Sequence, residues 1–401
     1  MVTMKLTTIA TGVLCAWVSL APSLKGADNA GTTQIDGILK TAVATKAVPA
    51  VVAMVATRDG IVYRYAINAT EETIFAIASM TKPVTSVVVM QLVEAGRVRL
   101  DAPAATYVKE LGEAQVLEAG RLRRPKTPIT VRQLLSHTSG FAYEFMHKDV
   151  ADYATKGLVM SMAAGGDGFL KAPLVADPGT RWEYGISTDW LGRLVEVVSG
   201  QSLEQYFQRH IFDPLDMKDS FFIVPPAKQG RLASVYQRKQ DGSLEKMAAS
   251  PFKPSGFLSG GGGLHSTAAD YLKFARALLA GGELGGRRIL KPETVAMMGS
   301  NQIGDLALQP FKSLIPQLAT DGAVLPGGLD KFGLGFAINS SAVAKGRGMN
   351  TMTWAGIFNT FFWIDREKGL CAVLMMQMSP GLDAGPRKLL EDFDRAVYST
   401  R

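Results

Sequence analysis

Strand-forming runs lie near both ends of this chain and helix-forming sequence lies between them, so a sheet is built most simply by joining the two ends. Val51 to Ala56 and Ile61 to Ile67 are rich in β-branched and aromatic residues and flank Arg58-Asp59-Gly60, which predicts a hairpin. Far downstream, Met352 to Ile357, Thr360 to Ile364 and Leu370 to Met376 alternate with turns, among them Arg366-Glu367-Lys368-Gly369. Ile35, Ile38, Leu39, Ala42 and Val43 recur at helical spacing before the first hairpin, and a closing helix is expected over Ala384 to Tyr398. The expected organisation is an α/β domain from residues 28–100 and 252–401, capped by an inserted helical domain at 101–251.

At 401 residues and 47% hydrophobic composition, the chain can bury a large core. Its net charge of +7 is spread over Lys and Arg residues that acids balance locally, with no basic run interleaved with aromatics. No nucleic-acid partner is expected from that pattern. His137, His147, His210 and His265 lack metal-ligand spacing, and neither a dinucleotide fingerprint nor a Walker sequence occurs. The chain is therefore expected to work without metal or cofactor. Lys5 followed by the apolar stretch Leu6 to Leu20 predicts a signal-like segment over residues 1–27, and with it a periplasmic or secreted protein. Ser19-Leu20-Ala21 offers small residues for cleavage, but Pro22 follows them, so an uncleaved anchor is the alternative reading of this segment. Cys15 lies in that segment and Cys371 in a predicted strand, which leaves no internal disulfide. Oligomeric state is not legible.

Ser79-Met80-Thr81-Lys82 opens an apolar helix. A Ser three residues before a Lys places hydroxyl and amine on one helix face, within reach of a shared proton. Burial strips water from the ammonium and favours the neutral amine, which can act as a base. The helix N-terminus adds positive potential where an attacked carbonyl gains negative charge. Three such pairs occur: Ser79/Lys82, Ser243/Lys246 and Ser250/Lys253. The second follows the polar turn sequence Arg238 to Gly242, and the third has Pro251 inside it. Ser79 alone is followed by Pro83 and then Val84, Val87, Val88, Val89, Met90, Leu92 and Val93. Its position is equally that of an ordinary helix cap, so the pattern by itself does not make it a nucleophile. No Gly-x-Ser-x-Gly elbow occurs, and the spacing around His137 and His265 does not assemble a triad. His137, at a loop entry, reads as a structural hydrogen-bonding residue. Gly260 to Gly263 read as close backbone packing or a flexible turn rather than a phosphate cradle.

Several blocks then resemble, in order, the class C-like branch of the serine β-lactamase and penicillin-binding-protein superfamily. They are Val131 to Gly140, Asp177 to Tyr184, Gly200 to Met217 and Gly261 to Tyr271. The resemblance runs from about residue 35 to the C-terminus. It implies that superfamily's fold, an antiparallel sheet flanked by helices plus a mostly helical inserted domain. It also implies Ser79 as nucleophile, Lys82 as its partner, and Tyr184 as a second proton-transfer residue held by cationic Lys82. Penicillin-recognising relatives carry Lys-Thr-Gly on the strand edging the site. Here Trp354-Ala355-Gly356-Ile357 stands in that place without a cation, and resembles the Trp-x-Gly element of the family VIII carboxylesterases. Carried over, Trp354, Ala355 and Gly356 line the acyl pocket, and the amides of Ser79 and Ile357 form the oxyanion hole. Tyr184-Gly185-Ile186 also lacks the Asn that amide-binding relatives show as Tyr-x-Asn. Losing both groups points to a carboxylesterase acting on small-molecule esters. A class C-like β-lactamase or DD-peptidase, an acyltransferase and a non-catalytic scaffold are the competing readings. The loop from Asp305 to Leu329 is expected to help shape the pocket.

Overall fold

Seven strands drawn from the two ends of the chain form one antiparallel sheet. The computed structural model describes residues 29–248, 256–323 and 330–399, so the signal-like segment and the Ser250/Lys253 pair lie outside the described residues. Numbered along the chain, the strands are β1 (Val51–Thr57), β2 (Ile61–Ile67), β3 (Lys331–Phe332), β4 (Ala337–Ile338), β5 (Met352–Gly356), β6 (Thr360–Asp365) and β7 (Leu370–Met375). Their order in the sheet is β3-β4-β5-β6-β7-β1-β2, every neighbour antiparallel. The first hairpin therefore joins the C-terminal meander along β1 and β7, with Val52 opposite Met375 and Thr57 opposite Leu370. Composition explains the order. β1 and β7 are buried almost throughout and take central places, whereas β2 exposes Val62 and Arg64 and forms an edge. The two-residue strands β3 and β4 were not anticipated, because two residues show no periodicity.

The principal helices are α1 (Asn29–Ala44), α2 (Thr81–Glu94), α3 (Ser187–Ser199), α4 (Ala268–Leu279) and α5 (Ala384–Ser399). They cover both faces of the sheet. α1 and α5 pack together on one side, where Phe393 of α5 meets Trp363 of β6 at 5.6 Å between ring centroids. α4 covers the other side, where its Tyr271 meets Phe362 at 5.0 Å. Adjacent residues of β6 thus anchor opposite layers, as the two-residue pleat requires. α2 is buried along most of its length and packs against α3. Burying each of its valines contributes roughly 1.5 to 3 kcal/mol, which offsets the cost of taking Lys82 out of water. Between β2 and β3 the chain forms short helices, turns and small hairpins, including Tyr236–Arg238 with Leu244–Lys246. Ser243 and Lys246 are exposed there, so that pair makes no buried site.

Candidate active site

Ser79 occupies a 3-10 helical turn, Ala78–Met80, that runs directly into α2. Ala78 has φ +44°, a left-handed conformation that costs a Cβ-bearing residue about 1 to 2 kcal/mol. Its neighbours hold it there. Ile77 N–H donates to the Leu264 carbonyl at 3.0 Å, and Tyr271 donates to the Met80 carbonyl at 2.9 Å. Thr81 Oγ1 donates to the Ala78 carbonyl at 2.7 Å and accepts from Leu264 N–H at 3.0 Å. At the end of β5, a Cβ on Gly356 would stand 2.3 Å from the Ile77 carbonyl oxygen, so only glycine lets that strand touch the serine turn.

Lys82 is 1% exposed in the first turn of α2. Its Nζ lies 3.1 Å from Ser79 Oγ, 2.9 Å from the Tyr143 hydroxyl and 2.7 Å from the Gly261 carbonyl oxygen. This set suits either protonation state. An ammonium donates to all three oxygens, while a neutral amine donates to Gly261 and Tyr143 and turns its lone pair toward the Ser79 hydroxyl. A proton can pass between Oγ and Nζ with no rearrangement of the site.

The tyrosines divide differently from expectation. Tyr184 turns its ring toward Lys82, with Nζ 4.7 Å from the ring centroid, and its hydroxyl accepts from Trp354 Nε1–H at 3.2 Å. The hydroxyl that Lys82 hydrogen-bonds is that of Tyr143, which sequence reasoning did not single out. Burial pushes the Tyr143 phenol well above its ordinary value, so it stays protonated at neutral pH. Its sole signal was its place three residues beyond Gly140, just outside the matched block. Two paired loops bring the tyrosines together: Glu183 N–H donates to the His137 carbonyl at 2.8 Å and Tyr143 N–H to the Tyr184 carbonyl at 3.3 Å. The second loop is anchored by Arg123, which donates to both Asp177 carboxylate oxygens at 2.9 Å. That guanidinium holds the Asp177 carboxyl well below the usual carboxylate range. His137 contributes packing rather than the expected side-chain hydrogen bond. Its buried ring stands 5.0 Å from Tyr184 and 5.4 Å from Phe332, its Nδ1 has no partner among the described residues, and burial keeps it neutral.

A pocket opens over Ser79. Tyr184, Trp354, Ala355, Gly356 and Ile357 line it together with Phe145, Met146, Phe311 and Leu382, while Lys312, Ser313 and Thr320 add polar groups. The site residues named from sequence therefore converge here, with Lys82 buried behind Ser79. The loop expected to shape the pocket does so through Phe311 to Ser313, Ala319 and Thr320; its residues 324–329 lie outside the described residues.

A family model described as Beta-lactamase matches residues 35–395. The chain belongs to the Beta-lactamase family. It is an enzyme of that fold, which serine hydrolases and acyltransferases share. It is 31% identical to monacolin J acid methylbutanoyltransferase of Aspergillus terreus, over 80% of this chain and 81% of that protein. It is 30% identical to lovastatin esterase of Penicillium rubens, over 75% of this chain and 78% of the esterase. Among solved structures, unliganded simvastatin synthase from Aspergillus terreus superposes with a TM-score of 0.80 at 28% identity, covering 92% of this chain and 98% of the synthase. That agreement includes the antiparallel sheet and its flanking helices.

Proposed function

We propose that the protein is a serine carboxylesterase of the family VIII kind, acting through a Ser79 acyl-enzyme. The observation that carries this reading is the 3.1 Å contact between Ser79 Oγ and buried Lys82 Nζ at the foot of an apolar pocket. Ser79 gives its proton to Lys82 as Oγ bonds to the ester carbonyl carbon and the carbonyl electron pair moves onto oxygen. The amides of Ser79 and Ile357 hold that oxyanion, each donor being worth about 3 kcal/mol. When the intermediate collapses, the bond to the alcohol oxygen breaks, and that oxygen takes up the proton Lys82 received. Tyr184 lines the pocket and serves as the second proton-transfer residue toward the leaving group; Tyr143 backs Lys82 and holds it in place. Water then repeats the steps on the acyl-enzyme and releases the acid.

Trp354, Ala355 and Gly356 form an uncharged wall, which favours neutral small-molecule esters over penicillins or peptides that need a cation for their carboxylate. A second reading, transfer of the acyl group to an alcohol, is favoured by the same apolar lining and by the methylbutanoyltransferase relative, as the lovastatin esterase relative favours hydrolysis. The signal-like segment supports a periplasmic or secreted setting, and neither metal nor nucleic acid enters the proposed reaction. The test compares p-nitrophenyl butyrate with a chromogenic cephalosporin on wild type and Ser79→Ala, with and without added alcohol. Ester turnover that vanishes in the variant is the expected result, and the ester formed with added alcohol measures transfer. Ester turnover at the wild-type level in Ser79→Ala, or dominant cephalosporin turnover, would overturn the proposal.

A further inference from the structure

Asp189 lies in the first turn of α3 and is completely buried. An acid in a first turn is ordinary at a surface, where it meets the helix dipole and water together. Here water is excluded. Its Oδ1 accepts from Ser259 Oγ–H at 2.6 Å and from Gly261 N–H at 3.0 Å, while Oδ2 has no hydrogen-bond partner among the described residues. A buried oxygen left in that state calls for an explanation beyond capping.

Gly261 supplies it. Its carbonyl is the oxygen that accepts from Lys82 at 2.7 Å, so one residue is held by Asp189 at its N–H and by Lys82 at its C=O. A Cβ on Gly261 would stand 2.5 Å from Asp189 Oδ2 and 2.9 Å from Cγ, which shows how closely the carboxyl presses on that main chain. Thr85 of α2 donates to the Gly260 carbonyl at 2.7 Å, fixing the preceding residue as well. The titratable groups around Lys82 are Tyr143, Tyr184, His137 and Asp189. Asp189 is the carboxyl group among them. Burial pushes the Asp189 carboxyl up from its ordinary value, and the Lys82 cation opposes that rise.

We propose that Asp189 is a positioning residue for the Ser79–Lys82 pair, orienting Lys82 through Gly261 and balancing the ammonium that forms when Ser79 gives up its proton. It completes the order of nucleophile, base and orienting carboxylate on which activated serines rest. The inference depends on Lys82 being the acceptor of the Ser79 proton.

The test follows covalent labelling of Ser79 by a fluorophosphonate across pH, read by intact mass and peptide mapping. Oγ bonds to phosphorus, fluoride leaves, and the Oγ proton goes to Lys82. Asp189→Asn keeps the size of the side chain and an oxygen acceptor but removes the charge. Its plateau rate is expected to fall about tenfold, the order of a lost charge-assisted contact. Its half-maximal pH is expected to fall by about one unit, because an ammonium without its carboxylate deprotonates sooner. Ser259→Ala, which keeps the charge, should hold the wild-type half-maximal pH. If Asp189→Asn fails to fold by thermal melting, the smaller uncharged Asp189→Ser gives the same reading. A folded, uncharged variant that labels at the wild-type half-maximal pH overturns this inference alone. A wild type labelled elsewhere than Ser79 overturns the acyl-enzyme reading and this inference with it.

Discussion

Tyr143, Tyr184 and Trp354 surround Lys82 in different ways, and each should leave a separate kinetic mark. Tyr143→Phe removes one hydrogen bond to the amine while Gly261 still holds it, so kcat/KM is expected to fall about 10- to 100-fold. Tyr184→Phe interrupts the proposed path to the leaving group and should cost more, roughly 100- to 10,000-fold in kcat. Trp354→Phe removes the Nε1–H donor to Tyr184 together with part of a buried ring packed on Phe311 and Phe332, and should cost at least about fivefold. Steady-state kinetics on an uncharged ester ranks the three, and a larger loss in Tyr143→Phe than in Tyr184→Phe would assign proton transfer to Tyr143. Ser79 and Lys82 were legible because their geometry is local, one helical turn apart. Tyr143 was not, because its contact with Lys82 spans 61 residues and depends on two loops pairing in space.

At the level of elements, the site depends on β5 lying flush against the serine turn. Gly356→Ala would place a carbon 2.3 Å from the Ile77 carbonyl oxygen, so strand and turn must separate. Turnover should fall by more than tenfold and the melting midpoint should drop, the loss in kcat marking displacement of the turn. The loop carrying Tyr184 is tied by Arg123 to Asp177, and this tie has a pH signature. A carboxyl held below its ordinary value of about 3.9 contributes stability that is full above that pH and is lost as pH falls toward the lower folded-state value. The melting deficit of Arg123→Ala should therefore be constant from neutral pH to about pH 5 and narrow below about pH 4. Melting curves across pH check this, and a deficit that widens in acid would contradict it. β1, β2 and β5 to β7 were legible from their apolar runs and turns. β3 and β4 were hidden, since these two-residue strands owe their existence to pairing with each other and of β4 with β5 rather than to any pattern of their own.

Across the whole molecule, the ends of the chain meet in the sheet, and the serine turn is held between that sheet and the helices inserted along the chain. The two-ended sheet was visible in the sequence because its five longer strands are rich in apolar residues. The pocket's depth was not, since Phe145, Phe311 and Leu382 reach it from three separate loops. Stability and chemistry should separate on the far face. Phe393→Ala empties a site between Trp363 and Tyr63 and should cost about 3 to 5 kcal/mol in urea unfolding while kcat/KM of the folded enzyme stays unchanged. The most direct test of the account is to mix the enzyme rapidly with p-nitrophenyl butyrate, quench in acid and map the peptides. The account predicts a burst of p-nitrophenol and a butyryl group on Ser79 during turnover. Steady turnover with Ser79 unmodified, or the acyl group on another residue, would contradict it.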